Sequence, residues 1–453
     1  MVLAASLPAD ARAGAGALRF AAGILRSAAG AAGVAASSVR PAVPNERIEV
    51  AVSAVATHAP EGASSPDAAV VARATALVPL IREHAAQASE DRRVTPEVMR
   101  ALEDAELFGL LVPRRLGGQE GNLRTMMEAV AEVARGDGST GWTVALLNVC
   151  TWFATTFSDE AQADVFDATP GAKVCGIFSP PTRSERVDGG YLVSGRWPYS
   201  SGSFAADWAT LGIGLDVPEG GDPRALALIP AEAWSIEPTW FMSGMRGSGS
   251  DTIVVDEHFV PDHRIQGFGE MVERRYGTSF TTREPNSAMA FIPVAALILA
   301  APLVGLARHA LEITLANVPG KNVAYTAYRQ ARMSPSHQID LAESATEFDL
   351  AELLMRRAAR DVDEPAAAGV IPDRLLRGRV RQDTGAIGEL AQRGINRLMT
   401  VNGASSFADA NVLSRVWRDA EVAARHALVM PEIGKEAYGQ LLLGADAPLT
   451  IDV

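Results

Sequence analysis

Three short segments carry the residues whose types and spacing could do chemistry. They are residues 195–202 (GRWPYSSG), 244–252 (GMRGSGSDT) and 417–426 (WRDAEVAARH). The first ends in small hydroxyl residues beside an aromatic, so backbone N–H groups and the Ser200 and Ser201 hydroxyls can meet a flat polar heterocycle. The second is a Gly- and Ser-rich turn before a strand, which lets the backbone approach a ligand closely. By composition alone, both segments also suit ordinary β-turns.

Candidate proton carriers and nucleophiles are few. His426 closes the third segment, and an imidazole with a reference pKa of about 6.5 can accept a proton and return it. Cys150 and Cys175 are the two cysteines. No base stands near Cys150 in the sequence, so we expect a buried pocket-lining thiol and not a nucleophile. Two thiols are too few for a thiolate zinc site, and no two of the seven histidines stand three or four residues apart, so no metal site is predicted.

Composition and motif content exclude several classes of protein. The 453-residue chain is 48% hydrophobic and 21% charged, which excludes a wholly disordered or collagen-like chain. Its formal net charge of −13 repels phosphate backbones, so nucleic acid is not an expected partner. The absence of GxGxxG, Walker A, HExxH and GxSxG motifs argues against Rossmann, P-loop, zinc-protease and α/β-hydrolase chemistry. The low cysteine content suits a reduced, cytoplasmic location.

One apolar run is long enough to cross a bilayer. Residues 286–307 carry no charge. Pro293, Pro302 and Gly305 interrupt the run, and an amphipathic helical pattern continues after it. We therefore expect a buried helix of a large bundle and no membrane partner.

The spacing of apolar residues predicts an α, then β, then α order of domains. Residues 1–64 are Ala-rich and predict a disordered extension and linker, with a targeting segment as the alternative. Residues 65–171 have helical spacing. Short runs between Pro, Gly and Asp turns predict an antiparallel β domain of six or seven strands over 172–275. Residues 276–453 predict a bundle of four long helices, namely 288–317, 334–360, 374–401 and 414–444.

The three segments, in their wider context, resemble motifs of the acyl-CoA dehydrogenase superfamily. The matching stretches are DGGYLVSGRWPYSSGSFAADW, GMRGSGSDTIVVDEHFVP and SSFADANVLSRVWRDAE. The resemblance covers about residues 68–445. It implies an α+β fold with an N-terminal helical domain, a middle antiparallel β-barrel-like domain and a C-terminal four-helix bundle.

Departures from the dehydrogenase pattern select a branch of the superfamily. In the dehydrogenases, a Tyr and then the Glu that acts as catalytic base follow shortly after an Arg-Asp-Ala motif. Here that motif is Arg418-Asp419-Ala420, and the positions of the Tyr and the Glu are occupied by His426 and Ala427. Alanine cannot remove the proton beside a thioester. The pattern instead resembles the two-component flavin-dependent monooxygenases, such as the oxygenase component of p-hydroxyphenylacetate hydroxylase and dibenzothiophene monooxygenase.

The resemblance implies an activity and its partners. We expect a monooxygenase that takes reduced FMN or FAD, with FMNH2 preferred, from a separate NAD(P)H:flavin reductase. It would insert one oxygen of O2 into a small aromatic or cyclic substrate through a C4a-hydroperoxyflavin, and it would assemble as a homotetramer or a homodimer. The alternatives are an acyl-CoA dehydrogenase or oxidase, an N-hydroxylase of an amine or amino sugar, and a helical scaffold without chemistry.

The same resemblance assigns site residues. Ser201, as the contact of flavin N5, and His426, as a proton acceptor for the substrate, are the expected catalytic residues. The substrate pocket is expected to include Cys150, which stands where many members have His, with Asn148 and His426. We further expect the loop over residues 263–287 to cover this pocket. The expected cofactor-binding residues are Trp142, Phe178, Ser179, Tyr199, Ser200, Ser201, Arg246, Ser248, Ser250 and Gln338.

Overall fold

The fold begins with five helices whose starts are fixed by polar side chains. The computed structural model describes Gly62 and residues 64–178 and 182–444, so the predicted Ala-rich extension lies almost wholly outside the described residues. A side-chain oxygen precedes each helix and accepts hydrogen bonds from its first turn. These N-caps are Asp67, Thr95, Asn122, Asp137 and Ser158. The helices are α1 (Ala68–Asp91), α2 (Pro96–Asp104), α3 (Leu123–Gly136), α4 (Gly138–Ala154) and α5 (Asp159–Phe166).

Helix α4 is the innermost of the five. All of its residues except Leu146 are buried, because it packs between α3, the first strand and the C-terminal helices. Gly141 allows the close approach to α3, since a Cβ there would lie 2.4 Å from the Cβ of Ala134. The helix therefore carries Trp142 and Cys150 into the middle of the protein.

The middle domain consists of two open four-stranded sheets. The strands are β1 (Val174–Ile177), β2 (Thr182–Val187), β3 (Gly190–Trp197), β4 (Trp208–Gly214), β5 (Arg224–Pro230), β6 (Trp234–Glu237), β7 (Thr252–Pro261) and β8 (Ile265–Gly267). Their orders are β1-β4-β5-β8 and β2-β3-β7-β6. A middle β domain is confirmed, but it has eight strands rather than six or seven, and β1 pairs with β4 in parallel. The intervening hairpin β2–β3 belongs to the other sheet, so the chain returns to β4 in the direction of β1.

Trp197 fixes the point at which β3 leaves its sheet. Its side chain is fully buried at the end of the strand, and its indole Nε1–H donates to the carbonyl of Gly212 on β4 at 2.9 Å. This bond joins the two sheets. It therefore fixes the position of the turn that follows, which carries Ser200 and Ser201.

The remaining chain is helical, as predicted. Its helices are α6 (Phe268–Val272), α7 (Phe291–Leu297), α8 (Ala301–Asn317), α9 (Pro335–Ala367), α10 (Arg374–Asn402), α11 (Val412–Ala423) and α12 (Pro431–Leu442). The apolar stretch Phe291–Asn317 is long enough to span a membrane, yet 94% of its most apolar window is buried inside the protein. It is thus the expected core helix, divided into α7 and α8 by one tighter turn over Ile298–Ala300.

The last predicted helix, 414–444, is two helices. α11 ends at Ala423, and α12 begins at Pro431, whose ring leaves no N–H to continue a helical ladder. The link 424–430 folds back on itself, with the amides of Val429 and Met430 donating to the carbonyl of His426. This interruption places His426 on the wall of the cavity described below, where its ring remains exposed, rather than within a helix.

Candidate active site

One large cavity lies among α4, the turn after β3, the 240–250 segment and the link 424–430. Its volume is about 1170 Å³, and its walls are mainly apolar and aromatic. Single ligands usually fill roughly 300–1,000 Å³. The cavity therefore has room for two flat ligands side by side. The polar groups that reach it include Ser201, Ser250, Arg381 and His426.

The turn after β3 is held in an unusual backbone conformation. Tyr199 has a φ of 68°, a left-handed value that costs energy for a residue with a side chain. Backbone bonds to the second turn hold it: Ser200 N–H donates to the carbonyl of Asp251 at 3.0 Å, and Gly202 N–H to that of Ser248 at 3.1 Å. The two predicted turns thus form one rigid unit that presents Ser201 to the cavity.

The second turn is braced from helices on two sides. The Met245 N–H donates to Asp419 on α11 at 2.6 Å, and the Gly247 N–H donates to the hydroxyl of Ser139 on α4 at 3.1 Å. Asp419 is buried close to the Asp137 carboxyl, and burial together with that neighbour raises the pKa of Asp419 to about 7.

Three serine hydroxyls form a chain that ends on a carbonyl. The Oγ atoms of Ser201 and Ser250 lie 2.7 Å apart, and those of Ser250 and Ser248 lie 2.6 Å apart. Ser248 Oγ–H donates to the Met245 carbonyl at 2.8 Å. At the other end, the indole Nε1–H of Trp142 donates to Ser201 Oγ at 3.2 Å.

The ends of this chain determine its direction. A carbonyl only accepts, so Ser248 uses its single proton on Met245 and must accept from Ser250. Ser250 then has no proton left for Ser201, so Ser201 donates to Ser250. Trp142 occupies one lone pair of the Ser201 oxygen. What Ser201 can still offer to the cavity is therefore one lone pair, which accepts a hydrogen bond.

His426 faces the same cavity from the link 424–430. Its ring packs edge-on against Trp142, with ring centroids 5.7 Å apart. Its Nδ1 accepts a hydrogen bond from the backbone N–H of Leu428 at 3.2 Å. The exposed surface of the ring borders the cavity, while the atoms packed around it and the Arg381 guanidinium lower the pKa of His426 to about 4.

Cys150 lies on the wall as a buried thiol. Burial and the neighbouring Cys175 hold the pKa of Cys150 well above its usual value. The neutral thiol is a weak nucleophile. Its position matches the prediction of a pocket-lining residue without covalent chemistry.

The cavity brings together seven of the sequence-predicted site residues. These are Trp142, Cys150, Phe178, Tyr199, Ser201, Ser250 and His426. Ser179 lies outside the described residues. The predicted covering loop over 263–287 contributes Phe268 alone to the wall.

Five predicted site residues do not reach the wall, because other groups occupy their polar atoms. Asn148 bonds the backbone at Leu107, Leu110 and Val144. The Ser200 hydroxyl donates to the Trp197 carbonyl. The Ser248 hydroxyl is hydrogen-bonded to that of Ser250, so it is connected to the cavity only through Ser250. Arg246 Nε donates to the Ser89 carbonyl, and Gln338 donates to the Arg332 carbonyl on an exposed part of α9.

Sequence reasoning missed Arg381. It lies on α10 on the same face as the buried residues Arg377, Thr384 and Gly388, and its side chain reaches the cavity. A charged side chain on the buried face of a helix is the signal that could have identified it. Trp240 was also missed; it lines the cavity and donates through Nε1 to the Met245 carbonyl at 2.7 Å.

The wall offers no free carboxylate in the described part of the chain. Ala427, at the position of the dehydrogenase base, does line the cavity. Glu421 also lines it, but its oxygens accept from Arg425 at 2.5 Å, Asn396 at 3.0 Å and Gln392 at 3.2 Å. This arrangement lacks the available base that proton removal beside a thioester requires.

Comparison with known proteins agrees with the architecture. The profile of the acyl-CoA dehydrogenase N-terminal domain matches residues 72–166, and that of the C-terminal domain matches residues 297–431. The chain is 33% identical over 404 residues to the oxygenase component of FADH2-dependent resorcinol hydroxylase from Rhizobium sp., covering 86% of this chain and 98% of that protein.

Two further relatives belong to the same branch. The oxygenase subunit HsaA, a flavin-dependent monooxygenase from Rhodococcus jostii, is 32% identical over 81% of this chain and 96% of its own. The structure of XiaF from Streptomyces sp. in complex with FADH2 and glycerol superposes with a TM-score of 0.79 at 31% identity, covering 85% of this chain and 97% of XiaF. The chain therefore belongs to the acyl-CoA dehydrogenase superfamily and, within it, to the flavin-dependent monooxygenases that act as oxygenase components.

Proposed function

We propose that this protein hydroxylates a small phenolic compound, using O2 and a reduced flavin delivered by a separate NAD(P)H:flavin reductase. The observation that carries the proposal is the acceptor lone pair of Ser201. In a reduced flavin, N5 bears a hydrogen and is a donor, whereas in an oxidised flavin N5 is an acceptor. Ser201 is complementary to the reduced form.

The residues around the cavity fit a flavin ring. Flat side chains that suit an isoalloxazine line the same cavity as Ser201, namely Trp142, Phe178, Tyr199 and Trp240. The volume of about 1170 Å³ leaves space for a second aromatic ring beside the first. Ser201 and His426 both contact Trp142, so the two ligands would meet next to its indole.

The residues of this chain have distinct parts in the reaction. Bound reduced flavin supplies the electrons that activate O2. Ser201 would accept a hydrogen bond from N5–H and so keep that hydrogen on the flavin, while Trp142 and Ser250 hold the Ser201 hydroxyl. The apolar wall excludes water, which would otherwise divert the activated oxygen. His426 and Arg381 face the remaining space, where the substrate binds.

The flavin and substrate classes draw support from the relatives. The resorcinol hydroxylase is FADH2-dependent by name and XiaF was solved in complex with FADH2, so we favour FADH2 over the FMNH2 expected from resemblance alone. Resorcinol is a phenol, and a phenolic ring is flat enough for the aromatic wall. We also retain a cytoplasmic location and a homo-oligomeric assembly as parts of the proposal.

Anaerobic titration followed by turnover tests the proposal. The protein, purified without added flavin, should be nearly colourless and should bind reduced FAD more tightly than oxidised FAD. With FAD, NADH, a flavin reductase and O2, it should then convert resorcinol or a related phenol to a hydroxylated product. A yellow protein that retains oxidised FAD and transfers electrons from an acyl-CoA would instead identify a dehydrogenase. Equal affinity for both redox states would contradict the assignment of Ser201.

A further inference from the structure

Another, smaller pocket lies where α1, α8 and the start of α11 meet. Its volume is about 250 Å³, and among the described residues it shares no wall residue with the active-site cavity. Pockets for whole cofactors usually measure roughly 300–1,000 Å³. This pocket is smaller and suits a group of the size of phosphate. Its wall includes Arg82, His309, Asn317, Asn411, Val412 and Arg415.

Arg415 brings a positive charge without hydrogen-bond acceptors to this pocket. Its side chain is only 18% exposed, and none of its five N–H groups has an acceptor in the described part of the chain. It faces the Asp137 carboxyl, but Arg415 Nε and Asp137 Oδ1 are 3.7 Å apart, too far for a hydrogen bond. Burial also raises the pKa of Asp137. A guanidinium enclosed without acceptors is unfavourable, and a bound anion would supply them.

Arg82 adds a second cation, from α1. It shares the Glu312 carboxylate on α8 with Arg135, because Arg82 Nη2 lies 2.5 Å from one Glu312 oxygen and Arg135 Nη1 lies 2.9 Å from the other. Arg135 has a further partner in Glu132, which Arg308 shares in turn. The carboxylates of this network are thus already divided between cations, and they leave Arg415 without a close partner.

His309 gives independent evidence that the pocket is positive and incomplete. The residue is only 4% exposed, yet its Nδ1 has no hydrogen-bond partner in the described part of the chain. Burial and the Arg82 and Arg415 guanidinium groups lower the pKa of His309 to about 3, so the ring is neutral. Nδ1 is enclosed, so a ligand in the pocket would meet the ring at Nε2. Because no bond holds the ring proton at Nδ1, it can lie on Nε2 and be donated to an acceptor.

The pocket also lies at the N-terminal end of α11. Val412 is the first residue of this 12-residue helix, and Asn411 is its N-cap. Backbone N–H groups at a helix N-terminus carry a partial positive charge and favour anions. Two guanidinium groups, an imidazole and a helix N-terminus therefore converge on one small space.

We propose that this pocket binds a phosphate-sized oxyanion, held by Arg415, Arg82 and the Nε2–H of His309. The ligand is inorganic phosphate or the phosphate group of a larger molecule. In the second case the remainder of the molecule would leave past Asn317 and Val412, which are exposed. The inference does not depend on which flavin or substrate occupies the active-site cavity.

Calorimetric titration of the full-length protein with sodium phosphate, at constant ionic strength, tests the site. We expect one phosphate per chain to bind saturably, with a dissociation constant of about 1 mM or lower. The melting temperature should rise to a plateau over the same concentrations, since a ligand of the folded state stabilises it. Sodium chloride at the same ionic strength should produce neither effect. AMP identifies the source: binding as tight as that of phosphate indicates a phosphate group on a larger molecule, and exclusion of AMP indicates free phosphate.

Matched variants assign the binding to this pocket. Val412→Glu places a carboxylate on the wall at an exposed position and should weaken phosphate binding at least about ten-fold. Val412→Gln has the same shape without the charge and should stay within about two-fold of wild type. Arg415→Gln should weaken binding at least about ten-fold. Its control is Arg418→Gln on the same helix, because Arg418 bonds Ser414 and does not line the pocket.

Three outcomes would overturn the proposal. The first is that phosphate up to about 10 mM shows no saturable binding to the wild-type protein. The second is that Val412→Glu and Val412→Gln bind phosphate equally well. The third is that reduced FAD displaces phosphate, since the pocket would then belong to the flavin site. The wild-type titration and the Val412 pair decide the matter even if Arg415→Gln does not fold.

Discussion

The hydroxyl oxygen of Ser201 lies 2.7 Å from that of Ser250, and Ser201 is the donor of this hydrogen bond. Ser250 is committed to Ser248, and Ser248 to the Met245 carbonyl at 2.8 Å. Ser250, which does not touch the flavin ring in this scheme, thus determines which hydrogen bond Ser201 can make with that ring.

Replacing Ser201 by Ala should uncouple oxygen consumption from hydroxylation. Without the acceptor, the N5 hydrogen is lost sooner and activated oxygen leaves as hydrogen peroxide. If the lost bond is worth about 0.5–1.5 kcal/mol, the leak should be about 2- to 12-fold faster. The measurement is peroxide released per O2 consumed. Ser203→Ala is the control, since this neighbouring buried hydroxyl has no hydrogen-bond partner in the described part of the chain. Equal coupling in both folded variants would remove Ser201 from the site.

Replacing Ser250 by Ala should change the redox preference of the site. Ser201 then loses its acceptor, and its freed proton can be donated to N5 of an oxidised flavin. Oxidised FAD should bind about 2- to 12-fold more tightly, from the same energy of one hydrogen bond. Equilibrium titration of both redox states measures the effect, again with Ser203→Ala as control. An unchanged ratio of the two affinities would contradict the direction deduced for the serine chain.

Replacing Asp419 by Asn should make stability less dependent on pH. The folded pKa of Asp419 is raised to about 7, above the ordinary value of about 3.9. Between about pH 4 and about pH 7 the unfolded chain therefore binds fewer protons than the folded one, and the free energy of unfolding falls as pH rises. Asn keeps an oxygen for the Met245 N–H and has no charge. In thermal unfolding across that pH range, the melting temperature of the variant relative to that of the wild type should increase as pH rises. Parallel curves would contradict the prediction.

The protein should sediment as a homotetramer, or as a homodimer. Ile339, Leu350 and Leu353 lie exposed on one face of α9, which is a large apolar stripe for a free helix. Leu350→Glu should weaken association at least about ten-fold if the stripe is buried between subunits. Ile371→Glu, at an equally exposed position off the stripe, is the control. A wild-type monomer at micromolar concentration would overturn the prediction.

The fold was predictable because its signals are local. Helical spacing and turn residues identified the α–β–α order, and the motif at 195–202 correctly located the Ser201 turn. The parallel pairing of β1 with β4 depends on contacts between residues distant in sequence, which a pattern of apolar residues does not encode. The break before Pro431 was missed because the apolar spacing continues on both sides of it.

The site was predictable only in part, for the same reason. Ser201, Trp142 and His426 lie in or near recognisable motifs, and all three line one cavity. Asn148 and Gln338 were placed there by motif position, although their polar atoms are already bonded elsewhere. Arg381 has no motif around it. It is buried against the carbonyls of Ala427 and Leu428 with no carboxylate partner among the described residues, and a sequence does not display that.

The break between α11 and α12 divides the walls of the cavity between separate parts of the chain. The serine chain belongs to two turns of the β domain, whereas His426 belongs to a seven-residue link that Arg381 bonds at two carbonyls. Insertions or exchanges in that link would alter which ring is accepted without disturbing the contacts of Ser201. One scaffold can thus diversify toward new substrates while its oxygen chemistry stays constant, and residues 424–430 are the natural target for a directed-evolution library.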